Sequence, residues 1–250
     1  MPYRTIGKKE EERLYLDRFK DSIDDFPNGE IEEFEGPDFL IRENNKIVGI
    51  EVTKMFWEPN PDELPQQAKE SVHDLIAIKA SKLHTENGLP TCHVSVHFSQ
   101  TKLKKKDTDT VARIIFDIVS KNIPRPGSSI RIPPNAWTCV PLPGELSAVS
   151  IYQIDEIGET FYSAPQFGWI PNLRADSDLQ STINVKNGRI NAYRKNCDEI
   201  WLLINLGFGS ISSQFDVPDD VLRHNYVTHF DRIYLLHQMN NRCWRLQIGT

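Results

Sequence analysis

The chain has 250 residues, of which 39% are hydrophobic and 26% charged, and carries a formal net charge of -6. It is long enough to bury a sizeable core, and its acidic balance argues against a protein that coats nucleic acid by bulk attraction. No run approaches the roughly 18 consecutive apolar residues of a membrane helix, and the opening MPYRTIGKKEEER is too charged for a secretory signal, so a cytoplasmic protein is expected.

Taken in order, residues 8–26 read as an amphipathic helix with Leu16, Phe19, Ile23 and Phe26 on one face. Glu12 lies one turn before Leu16 on that same stripe, although Glu10, Glu11 and Glu12 also read as an acidic run suited to a helix N-terminus. Pro27-Asn28-Gly29 stops the helix, and residues 31–34 begin a sheet. Two short apolar runs follow. Asp38 heads the first (FLI) and Glu51 sits inside the second (IVGIEV), with Glu43-Asn44-Asn45 supplying turn chemistry between them, so a β-hairpin is expected.

Residues 66–84 read as a second helix with Val72, Ile76 and Leu83 inward. Lys79 shares that stripe, where a lysine either snorkels to water or supplies charge to a buried acid, and Lys82 is a second candidate. Residues 91–99 alternate as a strand whose polar face carries His93, Ser95 and His97. Two histidines at that spacing can bind zinc, but no third ligand is near, so a polar strand face is the reading. The basic run TKLKKK at 101–106 is a solvated loop that could also touch a phosphate backbone, and residues 108–122 read as a helix striped by Val111, Ile114, Ile115, Ile118 and Val119.

Residues 124–176 are rich in proline and carry Trp137, Tyr152, Phe161, Tyr162, Phe167 and Trp169. Short strands at 130–132, 148–154 and 160–162 mark this stretch as a β insertion in a single 1–250 domain, its aromatics forming a small core or a stacking surface for bases. Asp176-Ser177-Asp178 caps a helix running to about residue 195, with Leu179, Ile183, Ile190 and Tyr193 inward and Lys186 on the same stripe. A strand at 199–205, a glycine-serine loop at 207–213, a short helix at 218–225 and strands at 230–236 and 243–248 close the chain. The four cysteines, Cys92, Cys139, Cys197 and Cys243, form no CxxC pair and read as reduced thiols.

A carboxylate inside an apolar strand is costly unless something binds it, and a divalent metal is the expected partner of Asp38 and Glu51. Strand parity puts Glu51 on one face with Thr53, and Val52 and Lys54 on the other. With Pro37-Asp38 on one strand and Glu51-Val52-Thr53 on the next, the sequence resembles the PD-(D/E)xK nuclease superfamily, the restriction-endonuclease-like fold. The resemblance covers roughly the first hundred residues and, by its helix-then-WLLI order, the C-terminal third.

That resemblance implies an α/β fold with a mixed central sheet flanked by helices, and a magnesium- or manganese-dependent nuclease acting on nucleic acid, DNA first, in genome defence, repair or a mobile element. It implies metal ligation by Asp38, Glu51, Glu12 and the Val52 carbonyl. Asp38 and Glu51 would be catalytic, Thr53 stands where the family has lysine, and Lys79 is the candidate replacement. A non-cutting relative that binds nucleic acid or a protein stays open beside it, as does a subunit of a larger complex or a homodimer. No P-loop, GxGxxG, GxSxG or HExxH motif competes.

Overall fold

The computed structural model describes residues 7–57, 65–99, 103–133, 142–153, 158–165, 170–207 and 210–249. Its elements run α1 (Lys8–Lys20), β1 (Glu30–Glu33), β2 (Phe39–Glu43), β3 (Lys46–Lys54), α2 (Gln66–Glu86), β4 (His93–Phe98), α3 (Thr108–Lys121), β5 (Ser129–Ile132), β6 (Leu146–Tyr152) and β7 (Phe161–Ser163). After a π-helical turn at Ala175–Gln180 come α4 (Ser181–Asn187), α5 (Ile190–Tyr193), β8 (Glu199–Leu206), α6 (Asp219–Arg223), β9 (Asn225–Val227), β10 (Arg232–His237), β11 (Arg242–Arg245) and β12 (Gln247–Gly249).

The chain forms two compact units, Thr5–Trp57 with Gly168–Thr250 and Glu58–Phe167. The cause is strand pairing. β6 pairs antiparallel with β4 along its length, and β5 and β7 complete a sheet of order β5-β6-β4-β7. α2 and α3 share one apolar cluster with that sheet, built on Ile76, Ala80, Val94, Val96, Ile115, Val119 and Ile151. The proline-rich stretch is therefore half of a unit whose other half precedes it. Trp137, Phe167 and Trp169 lie outside the described residues, as do Thr101 and Lys102.

The unit carrying Asp38 and Glu51 is built on a mixed sheet of order β1-β2-β3-β8-β10-β11, in which β3, β8 and β10 run parallel and the remaining pairs antiparallel. The expected hairpin is present: Glu43 pairs with Lys46, and Asn44 takes a φ of 54°, a left-handed conformation asparagine tolerates. Exposed Glu30, Glu32 and Glu33 put charge on the β1 edge, which guards it against pairing with another chain.

Each face of this sheet is covered by a helix. α1 packs Tyr15, Leu16 and Phe19 onto Phe39, Ile50, Val52, Trp201 and Leu203. Leu16 and Phe19 are 0% exposed, and burying such a side chain stabilises by about 1.5–3 kcal/mol. α1 stops at Lys20 rather than at 26: the Ser22 amide turns to the Phe19 carbonyl three residues back, and its hydroxyl donates to the Arg18 carbonyl. Phe26 is still buried, edge-on to Phe19 at 5.7 Å, so the apolar stripe outlives the helix. On the other face Leu179, Ile183, Ile190 and Tyr193 meet Leu40, Ile200, Leu202 and Ile204. The expected final strand is divided into β11 and β12 at Leu246, which is buried and whose amide donates to the Ile233 carbonyl. Among the described residues no helix is long and apolar enough to cross a membrane.

Candidate active site

The β2–β3 ladder ends at the pair Phe39↔Ile50, so Asp38 lies one step beyond its end and stands across from Glu51. Residues opposed in this way project from the same face of a sheet. The Asp38 carboxylate continues the ladder in side-chain form: its Oδ2 accepts a 2.8 Å hydrogen bond from the Val52 amide. In an extended strand one residue's N–H and C=O point to the same edge, so the Val52 carbonyl also faces the Asp38 edge of β3.

Gly49 is what lets the Pro-Asp pair come this close. A Cβ there would stand 2.7 Å from Pro37 Cγ, 2.8 Å from Cys197 Sγ and 2.9 Å from Ile200 Cδ1. Its missing side chain is the space Pro37 fills.

The Glu51 side chain is 5% exposed, and its Oε1 accepts a 2.8 Å hydrogen bond from the Lys186 ammonium. Lys186 sits in the last turn of α4, where a cation is favoured by the helix dipole. Tyr193, on α5, joins them. Its hydroxyl is buried, and burial, reinforced by Glu51, pushes its phenol well above the ordinary tyrosine range.

Asp38 is also perturbed. Burial, and next the Glu51 charge, raise its carboxyl above the usual aspartate range, against the opposing pull of the Val52 amide, Lys9 and Lys186. The Glu51 charge thus opposes ionisation of Asp38, which an added cation would relieve.

Glu12 comes to the same edge from α1. It is 6% exposed, its Oε1 is 3.1 Å from the Lys8 ammonium, and among the described residues no donor meets its buried Oε2 in hydrogen-bond geometry. Lys9 stands between Glu12 and Asp38. Its Nζ lies 3.4 Å from Glu12 Oε2 and 3.5 Å from Asp38 Oδ1, and donates to the Phe34 carbonyl at 3.1 Å. Burial alone would lower the Lys9 ammonium, but the charges of Asp38, Glu12 and Glu35 outweigh it and raise it.

Thr53 is half-buried and lies two residues beyond Glu51 on its face. Lys54 points the other way, as parity requires, and pairs with Glu11 of α1 at 2.9 Å. Lys79 belongs to the other unit, where Asp109 Oδ1 at 2.7 Å and Thr108 Oγ1 at 2.8 Å hold its ammonium. The ammonium that meets Glu51 is that of Lys186. Lys82 is exposed and 3.7 Å from Glu86.

Sequence reasoning put Lys186 on the inward stripe of its helix but assigned it no partner. It passed over Lys9, for which there was a signal: two lysines in the first turn of a helix oppose its dipole and need nearby acids. His93 and His97 lie on the polar face of β4, and Lys104 to Lys106 are exposed.

The residues present suit a divalent ion. All the donors are hard oxygens, as magnesium and manganese prefer, and one of them, Glu12 Oε2, is buried without a hydrogen-bond partner among the described residues. Among the described residues no three His, Cys, Asp or Glu side chains already converge as a ready ion cage. The acids are spaced instead by lysine ammonium groups. Compared with protein-family models, with curated proteins and with solved structures, the chain matches none.

Proposed function

We propose that the chain is a divalent-metal-dependent phosphodiester hydrolase acting on nucleic acid, DNA first, on a restriction-endonuclease-like core. The observation that carries this reading is the placement of Asp38 opposite Glu51 on one sheet face, with the Lys186 ammonium on Glu51. Magnesium or manganese bound by Asp38, Glu51 and the Val52 carbonyl, with Glu12 beside them, would polarise a phosphoryl oxygen and make a bound water a nucleophile at neutral pH.

The protein's own groups do the remaining work. The Val52 amide fixes Asp38 Oδ2 and leaves Oδ1 turned toward the Lys9 side. Lys186 fixes Glu51 and supplies the positive charge that Thr53 cannot, beside the point where charge would build on the attacked phosphate. This answers the departure at Thr53, because the ammonium reaches the site from a helix rather than from the strand. Exposed Lys104 to Lys106 are suited to sequence-independent backbone contacts.

The test is cleavage of plasmid and short duplexes in Mg²⁺ or Mn²⁺ by the wild-type chain beside Asp38→Ala and Glu51→Ala. Cation-dependent cutting that each substitution abolishes is the expected result. Absence of cutting by the wild type, or cutting that survives both substitutions, overturns the enzyme reading.

A further inference from the structure

The Lys9 ammonium rests in an oxygen cage rather than on one partner. Among the described residues its closest oxygen is a main-chain carbonyl, Phe34 at 3.1 Å, while the carboxylate oxygens of Glu12 and Asp38 stand off at 3.4 and 3.5 Å. A lysine seeking the strongest ion pair would close on one carboxylate to about 2.8 Å. This one sits between two, and the Phe39 ring lies 6.0 Å from it on a further side.

Its position on the helix makes the arrangement informative. Lys9 is in the first turn of α1, with Gly7 as N-cap, where the exposed amides carry partial positive charge and a cation is disfavoured. Lys8, its neighbour, bears the same penalty, yet it is 84% exposed and touches Glu12 only through Oε1. Lys9 is thus the cation turned toward the acids, and the Glu12 oxygen it faces is the buried one that lacks a hydrogen bond among the described residues.

We propose that Lys9 is a tethered counter-cation. Its ammonium holds the ion's place between Glu12 and Asp38 in the metal-free protein, and it swings out to solvent when a divalent cation enters. The inference rests on the metal-site reading above and adds to it a competitor built into the chain. With its side chain 36% exposed and its carboxylate contacts long, Lys9 can leave without unpacking the core. Metal affinity is then set by a contest between two cations, and metal-free protein avoids leaving Glu12 and Asp38 uncompensated.

The experiment is Mn²⁺ binding, followed by the electron paramagnetic resonance of free Mn²⁺ and by calorimetry, with no nucleic acid present. The full chain is compared as wild type, Lys9→Met, Lys9→Arg and Lys20→Met, the last removing the same charge from the far end of α1. Removing the competitor should tighten binding about tenfold, as expected when it leaves the competent state about one-tenth populated. Lys9→Arg, which keeps a cation, and Lys20→Met should both stay close to wild type.

Equal or weaker binding by Lys9→Met, or equal tightening by Lys20→Met, overturns the role of Lys9 and leaves the metal site standing. If neither wild type nor Lys9→Met binds Mn²⁺, the metal-site reading falls with it. Circular dichroism checks each fold, and Lys9→Gln carries the same expectation should the methionine variant not fold.

Discussion

Asp38 and Glu51 share one face of a sheet, and the charge of Glu51 bears on the ionisation of Asp38. Because burial and the Glu51 charge together raise the Asp38 carboxyl, Glu51→Gln should lower it, and carbon-detected NMR titration of Asp38 would read that fall directly. The sign for stability follows. A carboxyl raised by folding binds its proton more tightly in the native state, so metal-free protein is most stable while that proton is on. It loses stability as pH climbs from the ordinary carboxylate range through the raised Asp38 value. Melting temperature against pH should show this decline, and Asp38→Asn should remove it.

Lys186 and Glu51 are a buried pair of another kind. With side chains only 17% and 5% exposed, neither charge has water to fall back on. Lys186→Met should therefore destabilise the fold by roughly 3 kcal/mol, the lower end of what removing one partner of a buried pair costs. Denaturant melts measure that loss, and cleavage should be lost with it.

At the scale of elements, the hairpin was legible because alternation has period two. A Pro-Asp before FLI and a Glu within IVGIEV have few ways to pair without exposing Ile41, Ile50 or Val52. What alternation cannot say is how near Pro37 comes to β3, and that depends on Gly49. Gly49→Ala should cost about 1–3 kcal/mol, because the added methyl meets Pro37, Cys197 and Ile200 all below 3 Å. Chemical denaturation gives the loss, and displacement of Pro37 should weaken cation binding along with it.

Helical phase was legible in the same partial way. It placed Leu179, Ile183, Ile190, Tyr193 and Lys186 inward, although the helix is broken between Asn187 and Ile190. Phase gives the direction of a lysine but not the carboxylate it meets, since that depends on which strand lies beneath. Lys79 was placed on an inward stripe by the same argument, and the carboxylate it meets is Asp109.

Across the whole molecule, the mixed sheet with helices on both faces is what the family resemblance implied. It did not imply the division into two units. Proline and aromatic density marked 124–176 as different, but the pairing of β6 with β4 joins that stretch to residues far upstream, and a long-range pairing leaves no local trace. The consequence for function is that Asp38, Glu51, Glu12, Lys9 and Lys186 all belong to one unit, although more than a hundred residues separate Glu51 from Lys186 in the chain. The site is assembled by the sheet and the helices packed on it within that unit.

The measurement that bears most directly on this account is Mn²⁺ binding to the wild type, Asp38→Asn and Glu51→Gln, with proton release followed in the same titration. The account predicts binding by the wild type, release of protons at those pH values where Asp38 is still partly protonated, and loss of binding in each variant. Undiminished binding in both variants, or none in the wild type, would contradict it.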